Sequence, residues 1–297
     1  MKRPRLAVLA LFAVLVTTLA TSVSASASGS DDRDEQTYYL SLGDSLAQGV
    51  QPNAAGTSVV TNQGYPDQLF KIAREERDHL TLVKMGCPGE TTATMLTGRI
   101  CPYARVSQLN DAVDFLAAHR HHVAFVTLDI GANDINGCVV LTPAGPSVDP
   151  ACFSTIAANL TVIVASLRAA DPNTVIIGMN YYNPNLAVWL QPGGSLFYFA
   201  SLKLADQFNA LLGVIYGGAG LPVADVATAF SSDVTILVPF SPPLPAGATA
   251  PLNVVRICQW TWMCAPAPVG PNIHANKAGY AVIARVFAAR LSLGVED

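Results

Sequence analysis

Short apolar runs alternate along the chain with stretches in which an apolar residue recurs every three or four positions. The apolar runs predict five buried strands, at residues 38–43, 80–84, 123–130, 174–179 and 222–226. The intervening stretches predict helices near residues 65–80, 105–119, 156–167, 196–216 and 280–291. Regular alternation of this kind is typical of an α/β domain with a doubly wound, parallel sheet.

Two segments do not follow this alternation. Residues 137–153 and 230–271 are rich in proline, glycine and serine, and each contains a pair of cysteines. Long irregular connections in a compact domain are usually functional loops or lids. We therefore expect two irregular loops, each held in shape by a disulfide.

The first residues have the features of an export signal. Three basic residues precede an apolar run at 6–20, which is followed by small residues ending in Ala25-Ser26-Ala27. An uncleaved membrane anchor is disfavoured, because the run falls short of the roughly 20 apolar residues that a spanning helix needs. We predict a signal peptide at 1–27, a flexible mature N-terminus at 28–36 and one domain at 37–294. No later segment is expected to be long and apolar enough to span a membrane, and no stable membrane insertion is expected.

The composition limits the kinds of partner. Charged residues make up only 13% of the chain, which allows a large core. The formal net charge is −4, and cleavage of the signal would remove three positive charges and leave −7. A mildly acidic protein lacks the basic surface of a nucleic-acid-binding protein. We expect a secreted monomer with no nucleic-acid partner.

All six cysteines lie after the predicted signal. An even number of cysteines in an exported chain indicates disulfides. Zinc binding is the alternative, but the chain contains no C-x-x-C motif and export disfavours reduced thiols. The order of the cysteines suggests pairing between sequence neighbours: Cys87 with Cys101, Cys138 with Cys152, and Cys258 with Cys264.

Small and polar residues follow several of the predicted strands. Gly43-Asp44-Ser45-Leu46 ends the first strand, and open α/β sheets bind ligands outside the carboxyl ends of their strands. A serine after a glycine is by itself usually a turn residue. Three further blocks, however, follow in order: Gly86, then 131–134, and finally His274 before the last helix. The G-x-S-x-G motif is absent at Ser45, which disfavours the α/β-hydrolase fold.

These four blocks, in this order, resemble the GDSL, or SGNH, hydrolase family. The resemblance covers roughly residues 37–291, and the cysteine-rich exported form is similar to secreted actinobacterial lipases and esterases. It implies a flavodoxin-like, three-layer α/β/α fold with a mostly parallel five-stranded sheet. It also implies hydrolysis of an ester without a cofactor.

The resemblance assigns roles to four residues. Ser45 would be the nucleophile and His274 its general base, since a serine hydroxyl needs a neighbouring base to attack at neutral pH. The backbone N–H groups of Ser45 and Gly86 and the side-chain amide of Asn133 would form the oxyanion hole. The structural alternatives are a turn glycine at Gly86 and a helix cap at Asn133. Asp44 is expected to brace the turn rather than act as a base, and Asp134 is expected to serve as a cap or to brace the loop at Ser45.

One position departs from the family pattern. The aspartate that family members place three residues before the histidine is replaced by Pro271. We therefore predict a Ser45–His274 dyad in which the backbone carbonyl of Pro271 accepts the imidazole N–H. The side-chain oxygen of Asn272 is the alternative acceptor, although its spacing is less suitable. The other histidines are expected on solvated surfaces: His79, His119, His121 and His122.

Aromatic residues near the last block are candidates for a substrate wall. Trp260 and Trp262 lie between Cys258 and Cys264, and Tyr181 follows the fourth predicted strand. A small satellite core is the alternative for the two tryptophans. We expect one to pack in that core and the other to contact substrate.

The sequence therefore predicts a secreted serine esterase or lipase that acts on an acyl lipid or an acylated small molecule or sugar. A carbohydrate deacetylase, a phospholipase or an acyltransferase would use the same residues. The alternative without catalysis is an exported binding protein, which the missing aspartate favours. No metal-ligand spacing, P-loop or dinucleotide-binding glycine pattern is found, so no cofactor or metal is expected.

Overall fold

The computed structural model describes residues 36–142, 145–241 and 244–294. The predicted signal peptide and nearly all of the predicted flexible N-terminus lie outside the described residues.

The domain is built on a sheet of five parallel strands. The strands in chain order are β1 (Thr37–Gly43), β2 (Leu80–Lys84), β3 (Val123–Asp129), β4 (Val175–Met179) and β5 (Val223–Ala224). Their order across the sheet is β2-β1-β3-β4-β5, and every neighbouring pair is parallel. This is the flavodoxin-like order, in which the direction of winding reverses between β1 and β3. Gly43 and Asp129 are register partners, so these two strands end side by side at that point.

Helices cover both faces of the sheet, which confirms the predicted three-layer α/β/α fold. The helices are α1 (Ser45–Gln48), α2 (Tyr65–Arg74), α3 (Thr92–Thr97), α4 (Gln108–Ala118), α5 (Ala132–Cys138), α6 (Pro150–Ala170), α7 (Ser195–Gly218), α8 (Val226–Ala229), α9 (Leu252–Trp260) and α10 (Lys277–Arg290). Helices α2 and α10 pack together in one layer, and α4, α6 and α7 pack in the other. A 3₁₀ helix at Pro184–Leu190 follows β4.

The central strands are buried on both faces, as their nearly continuous apolar sequences predict. Leu40 and Leu42 of β1 and Phe125, Val126 and Leu128 of β3 are fully buried. A rigid base of this kind holds the loops at the carboxyl ends of the strands in place, and these loops carry the candidate site.

The two segments predicted to be irregular contain regular structure, so that prediction was partly wrong. The first contains an antiparallel hairpin of Val139–Thr142 and Gly145–Val148, and α6 begins at Pro150. Proline at the first helical position favours a helix start, because its missing N–H has no partner there in any case. The second contains the antiparallel pair Leu237–Pro239 and Thr249–Pro251, followed by α9.

The predicted disulfide pairing is confirmed. The bonded pairs are Cys87 with Cys101, Cys138 with Cys152, and Cys258 with Cys264. The second pair spans the hairpin and the start of α6, and the third joins α9 to the loop that follows it. The zinc alternative has no support in the part of the chain that the structure describes, where no group of ligating side chains is arranged to hold a metal ion.

Helix α6 corrects one expectation about membranes. By length and composition alone it is long and apolar enough to cross a bilayer, with a mean hydropathy of 1.6. One such helix is weak evidence, because core helices of soluble proteins meet the same criteria. Ile156, Leu160, Ile163 and Leu167 form a fully buried stripe on this helix. That stripe faces the protein core.

Candidate active site

The turn after β1 places Ser45 at the first position of α1. Gly43 has φ 136°, and a Cβ at this position would overlap the backbone carbonyl of Asp129 on the neighbouring strand. Only glycine fits such a close approach. Asp44 caps α1, since its Oδ1 accepts a hydrogen bond from the N–H of Leu46 at 2.9 Å. Asp44 therefore braces the turn, as the sequence predicted.

The fold brings Ser45 and His274 into contact. Oγ of Ser45 lies 2.9 Å from Nε2 of His274, although 229 positions separate the two residues in the chain. His274 lies on a short strand, Asn272–Ala275, which pairs with Thr261–Trp262 and leads into α10. The hydroxyl of Tyr182 donates a hydrogen bond to the carbonyl of Ile273 at 2.8 Å and so holds this strand.

The other ring nitrogen of His274 contacts a side chain. Nδ1 lies 2.7 Å from Oδ1 of Asn272, and the same oxygen accepts the backbone N–H of His274 at 3.1 Å. The amide nitrogen of Asn272 donates to Oγ of Ser58 at 3.1 Å, which orients the amide so that its oxygen faces the ring. An amide oxygen only accepts, so Nδ1 carries the proton and the lone pair of Nε2 faces Ser45.

The expectation that the carbonyl of Pro271 would accept the imidazole N–H is wrong. Asn272 folds back in an Asx turn, which brings its oxygen to the ring of the residue two positions ahead. Pro271 instead lines a groove beside the site.

Burial keeps the imidazole neutral. His274 is largely enclosed, and this burial lowers its pKa from 6.5 to about 4, because the charged form loses its hydration. A neutral imidazole with a free lone pair at Nε2 is the form that a general base requires.

The glycine that reaches the site is Gly89, and the expectation for Gly86 is wrong. Gly86 is buried beneath α1, where a Cβ would lie 2.6 Å from Cβ of Ala47. The chain runs on past α1, with the N–H of Cys87 bonded to the carbonyl of Gly43 at 3.0 Å. It reaches the open side at Pro88 and Gly89, which are exposed and line a cavity together with Ser45.

Asn133 lies at the second position of α5 and lines cavities on both sides of Ser45. Its amide nitrogen donates a hydrogen bond to the carbonyl of Glu90 at 2.9 Å. A primary amide has two N–H donors, so the second can point to a ligand while the first fixes the side chain. Asn133 is not the cap of α5, as the alternative supposed, because Gly131 occupies the cap position of this helix.

Two buried residues that the sequence did not single out support these groups. Oε1 of Gln108 accepts the N–H of Gly43 at 2.7 Å, and its Nε2 donates to the carbonyl of Gly43 at 2.9 Å. Nε2 also lies 3.1 Å from Oε2 of Glu90, whose carbonyl holds Asn133. Gln108 thus connects the turn of the nucleophile to the loop that carries Gly89. A glutamine in the first turn of an amphipathic helix gives no sequence signal of such a role.

Two carboxyl groups lie behind Ser45. Asp44 and Asp129 are both buried, and burial raises the pKa of Asp44 to about 6 and that of Asp129 well above its usual range. The hydroxyl of Tyr65 donates to Oδ1 of Asp129 at 2.5 Å, and the hydroxyl of Tyr181 donates to Oδ2 of Asp44 at 3.3 Å. Burial therefore favours the protonated form of both carboxyl groups relative to water, and the charge of Asp44 further raises the pKa of Asp129.

Asp134 braces a different element from the one expected. Its carboxylate accepts hydrogen bonds from the backbone N–H of Thr92 at 2.8 Å and from the hydroxyl of Thr92 at 2.6 Å. It therefore holds the start of α3 rather than the turn at Ser45.

Of the three aromatic residues expected in a substrate wall, only Tyr181 lines the cavity at Ser45. Trp260 packs edge-on against Phe230 with ring centroids 5.0 Å apart, and Arg256 lies 4.6 Å above its ring. Trp262 donates a hydrogen bond from Nε1 to Oε1 of Gln51 at 3.2 Å. Both tryptophans therefore make local packing contacts. Neither lines the cavity at Ser45 that Tyr181 lines, so the expectation that one of them contacts substrate there is wrong.

Solved structures of known proteins share this fold. The chain resembles the extracellular lipase of Streptomyces rimosus with a TM-score of 0.54 and 18% identity, over 85% of this chain and 99% of that one. It resembles phospholipase A1 of Streptomyces albidoflavus with a TM-score of 0.53 and 18% identity, over 86% of this chain and 99% of that one. It resembles the acetylxylan esterase Axe2 of Geobacillus stearothermophilus with a TM-score of 0.53 and 16% identity, over 87% of this chain and 95% of that one. At these identities the likeness shows the shared fold.

No curated protein sequence matches the chain. A family model does match, and it extends over residues 41–282, which include the serine turn after β1 and the histidine before α10. The chain therefore belongs to the GDSL-like lipase/acylhydrolase family.

Proposed function

We propose that this protein is a secreted serine ester hydrolase. The observation that carries the proposal is the 2.9 Å contact between Oγ of Ser45 and Nε2 of His274, with the lone pair of Nε2 facing the hydroxyl. Ser45 attacks the ester carbonyl while His274 takes its proton. His274 then returns the proton to the leaving alcohol, and the C–O bond of the ester breaks. Water hydrolyses the acyl-enzyme by the same steps.

The developing oxyanion needs donors that are already in place. We assign this role to the backbone N–H groups of Ser45 and Gly89 and to the second amide N–H of Asn133, because these three residues line one cavity. Each such donor is worth about 10²–10³ in rate in well-studied hydrolases. Asn272 supports the imidazolium through the dipole of its amide rather than through a full charge.

Secretion is part of the proposal. Three disulfides form only in an oxidising compartment, and a basic, apolar and small-residue sequence precedes the domain. The chain is also similar to a lipase described as extracellular.

The test combines labelling with turnover. The mature protein is treated with a fluorophosphonate, the adduct is located by mass spectrometry, and p-nitrophenyl esters are assayed. We expect an adduct on Ser45 and a loss of turnover of at least about 10³-fold in both Ser45→Ala and His274→Ala. Val214→Ala, at a position that is 72% exposed and lines neither cavity at Ser45, is the folding control.

Other outcomes have defined meanings. No adduct and no turnover of any ester would leave the exported binding protein as the better account. Transfer of the acyl group to an added alcohol in preference to water would identify an acyltransferase. Phospholipase and carbohydrate deacetylase activities would use the same residues and differ in the shape of the substrate cavity.

A further inference from the structure

A groove continues from the cavity at Ser45 along the protein surface. Two cavities are lined by both Ser45 and His274. The one that Tyr181 also lines has a volume of about 100 Å³, and the groove that adjoins it has a volume of about 890 Å³. The two share part of their lining: Asn136, Asn185, Ser201 and Leu204. The groove is therefore continuous with the reacting serine.

One face of helix α7 forms a wall of both spaces. Phe197 and Ala200 line the groove, Leu204 lines both spaces, and Ala205 and Phe208 line the cavity. Spacings of three and four residues place these side chains on one face of the helix. From Phe197 to Phe208 the helix rises about 16 Å, at about 1.5 Å per residue.

The lining of the groove is mostly apolar and carries no charge, and its polar residues are Asn136, Asn185, Gln191 and Ser201. No Asp, Glu, Lys, Arg or His is among the described residues that line it. Met263 and Cys264, which belong to the loop closed by the third disulfide, also line the groove. Asn136 and Asn185 are exposed, so they form the rim rather than the floor. Such a lining favours a hydrocarbon chain over a sugar, which would require hydrogen-bond partners along its length.

We propose that this groove holds a long acyl chain whose ester carbonyl lies at Ser45, so that the substrates are long-chain acyl esters rather than acetylated sugars. The inference rests on the proposed ester hydrolysis. An extended chain advances about 1.3 Å per carbon, since its C–C bonds of about 1.5 Å zigzag, so a wall of about 16 Å matches roughly a dozen carbons. Each methylene buried contributes about 0.8 kcal/mol, which is roughly a fourfold gain in kcat/KM.

The test measures chain-length preference. p-Nitrophenyl esters from acetyl to hexadecanoyl are assayed below micelle-forming concentrations, and the decanoyl-to-acetyl ratio of kcat/KM is compared between variants. We expect the wild-type ratio to exceed 10. Ala200→Trp and Leu204→Trp, which fill the groove and its junction with the cavity, are each expected to lower the ratio at least tenfold.

The matched control is Val214→Trp on the same helix, whose side chain is 72% exposed and which lines neither space. It is expected to keep the wild-type ratio within twofold. Because the readout is a ratio, partial loss of folded protein in a variant does not change it. Circular dichroism melting identifies any variant that fails to fold, and Ala200→Leu then replaces Ala200→Trp as the milder block.

The outcomes separate this inference from the function on which it rests. A Ser45 adduct with turnover that is highest for acetyl esters would overturn the acyl groove and keep the hydrolase. A long-chain preference that neither variant reduces would place the chain elsewhere and likewise overturn the groove. No adduct and no turnover at any chain length would overturn both proposals.

Discussion

Oδ1 of Asn272 lies 2.7 Å from Nδ1 of His274, where a Ser-His-Asp triad has its carboxylate. An amide oxygen fixes the tautomer as a carboxylate does, but it adds no negative charge beside the imidazolium that forms during reaction. The hydrogen bond from the amide nitrogen of Asn272 to Ser58 is what keeps the oxygen turned to the ring.

Replacement of Asn272 tests this arrangement. Asn272→Ala removes the acceptor of the Nδ1 proton, and a lost hydrogen bond to a buried group costs about 1–3 kcal/mol, so kcat/KM should fall roughly 5- to 150-fold. Ser58→Ala, which frees the amide to turn, should give a smaller decrease. Full activity in Asn272→Ala would show that a backbone carbonyl or water orients His274 instead.

The pH profile tests the burial of His274. Its pKa is lowered from 6.5 to about 4 by burial, so the imidazole stays neutral until well below pH 6.5. We expect kcat/KM to remain level from pH 8 to about 5 and to reach half of its maximum near pH 4. Asn272→Asp should move this half-maximum to a higher pH, because a carboxylate beside the ring favours the charged form of the imidazole. A half-maximum near 6.5 in the wild type would contradict the burial argument.

The amide of Asn133 is expected to act on the transition state. Asn133→Ala should lower kcat about 10²–10³-fold while KM changes little, because the donor contacts the charge that develops during reaction. Asn173→Ala, at an exposed position in the turn before β4, is the control. A rise in KM at constant kcat would mean that Asn133 binds the ground state only.

The buried glutamine should matter for stability. Gln108→Ala leaves the N–H and carbonyl of Gly43 and the carboxylate of Glu90 without this partner, and we expect a loss of about 2–4 kcal/mol in the free energy of unfolding. Gln63→Ala, at an exposed position, should change stability by less than about 0.5 kcal/mol. Denaturant titration of both variants measures the difference, and equal stabilities would contradict the role given to Gln108.

The raised pKa of Asp44 has a consequence for stability. The folded protein holds this proton up to about pH 6, whereas the unfolded chain releases it near 3.8. The contribution is fully present below pH 3.8 and is lost as the pH rises through 6. Asp44→Asn keeps the helix cap and removes this dependence, so at pH 7 it should be at least as stable as the wild type. Denaturant titrations from pH 4 to 7 compare the two proteins, and a less stable variant at pH 7 would contradict the assignment.

The sequence by itself determined the local elements and the general chemistry. Apolar runs and helical stripes depend on neighbours along the chain, so β1 to β4 were found within one residue at each end and the long helices within six. The pairing of cysteines that are close in sequence was also predictable. Ser45 and His274 were recognisable because each stands in a short block of small residues at the end or start of an element.

Only the tertiary structure decided which groups surround these two residues. Asn272 rather than Pro271 faces the ring because the amide folds back and is held by Ser58, 214 positions away. Gly89 rather than Gly86 reaches the cavity because the chain first passes beneath α1. The continuity of the groove with the cavity is likewise visible only in the folded chain. Such contacts depend on distances between segments remote in sequence, which local patterns do not encode.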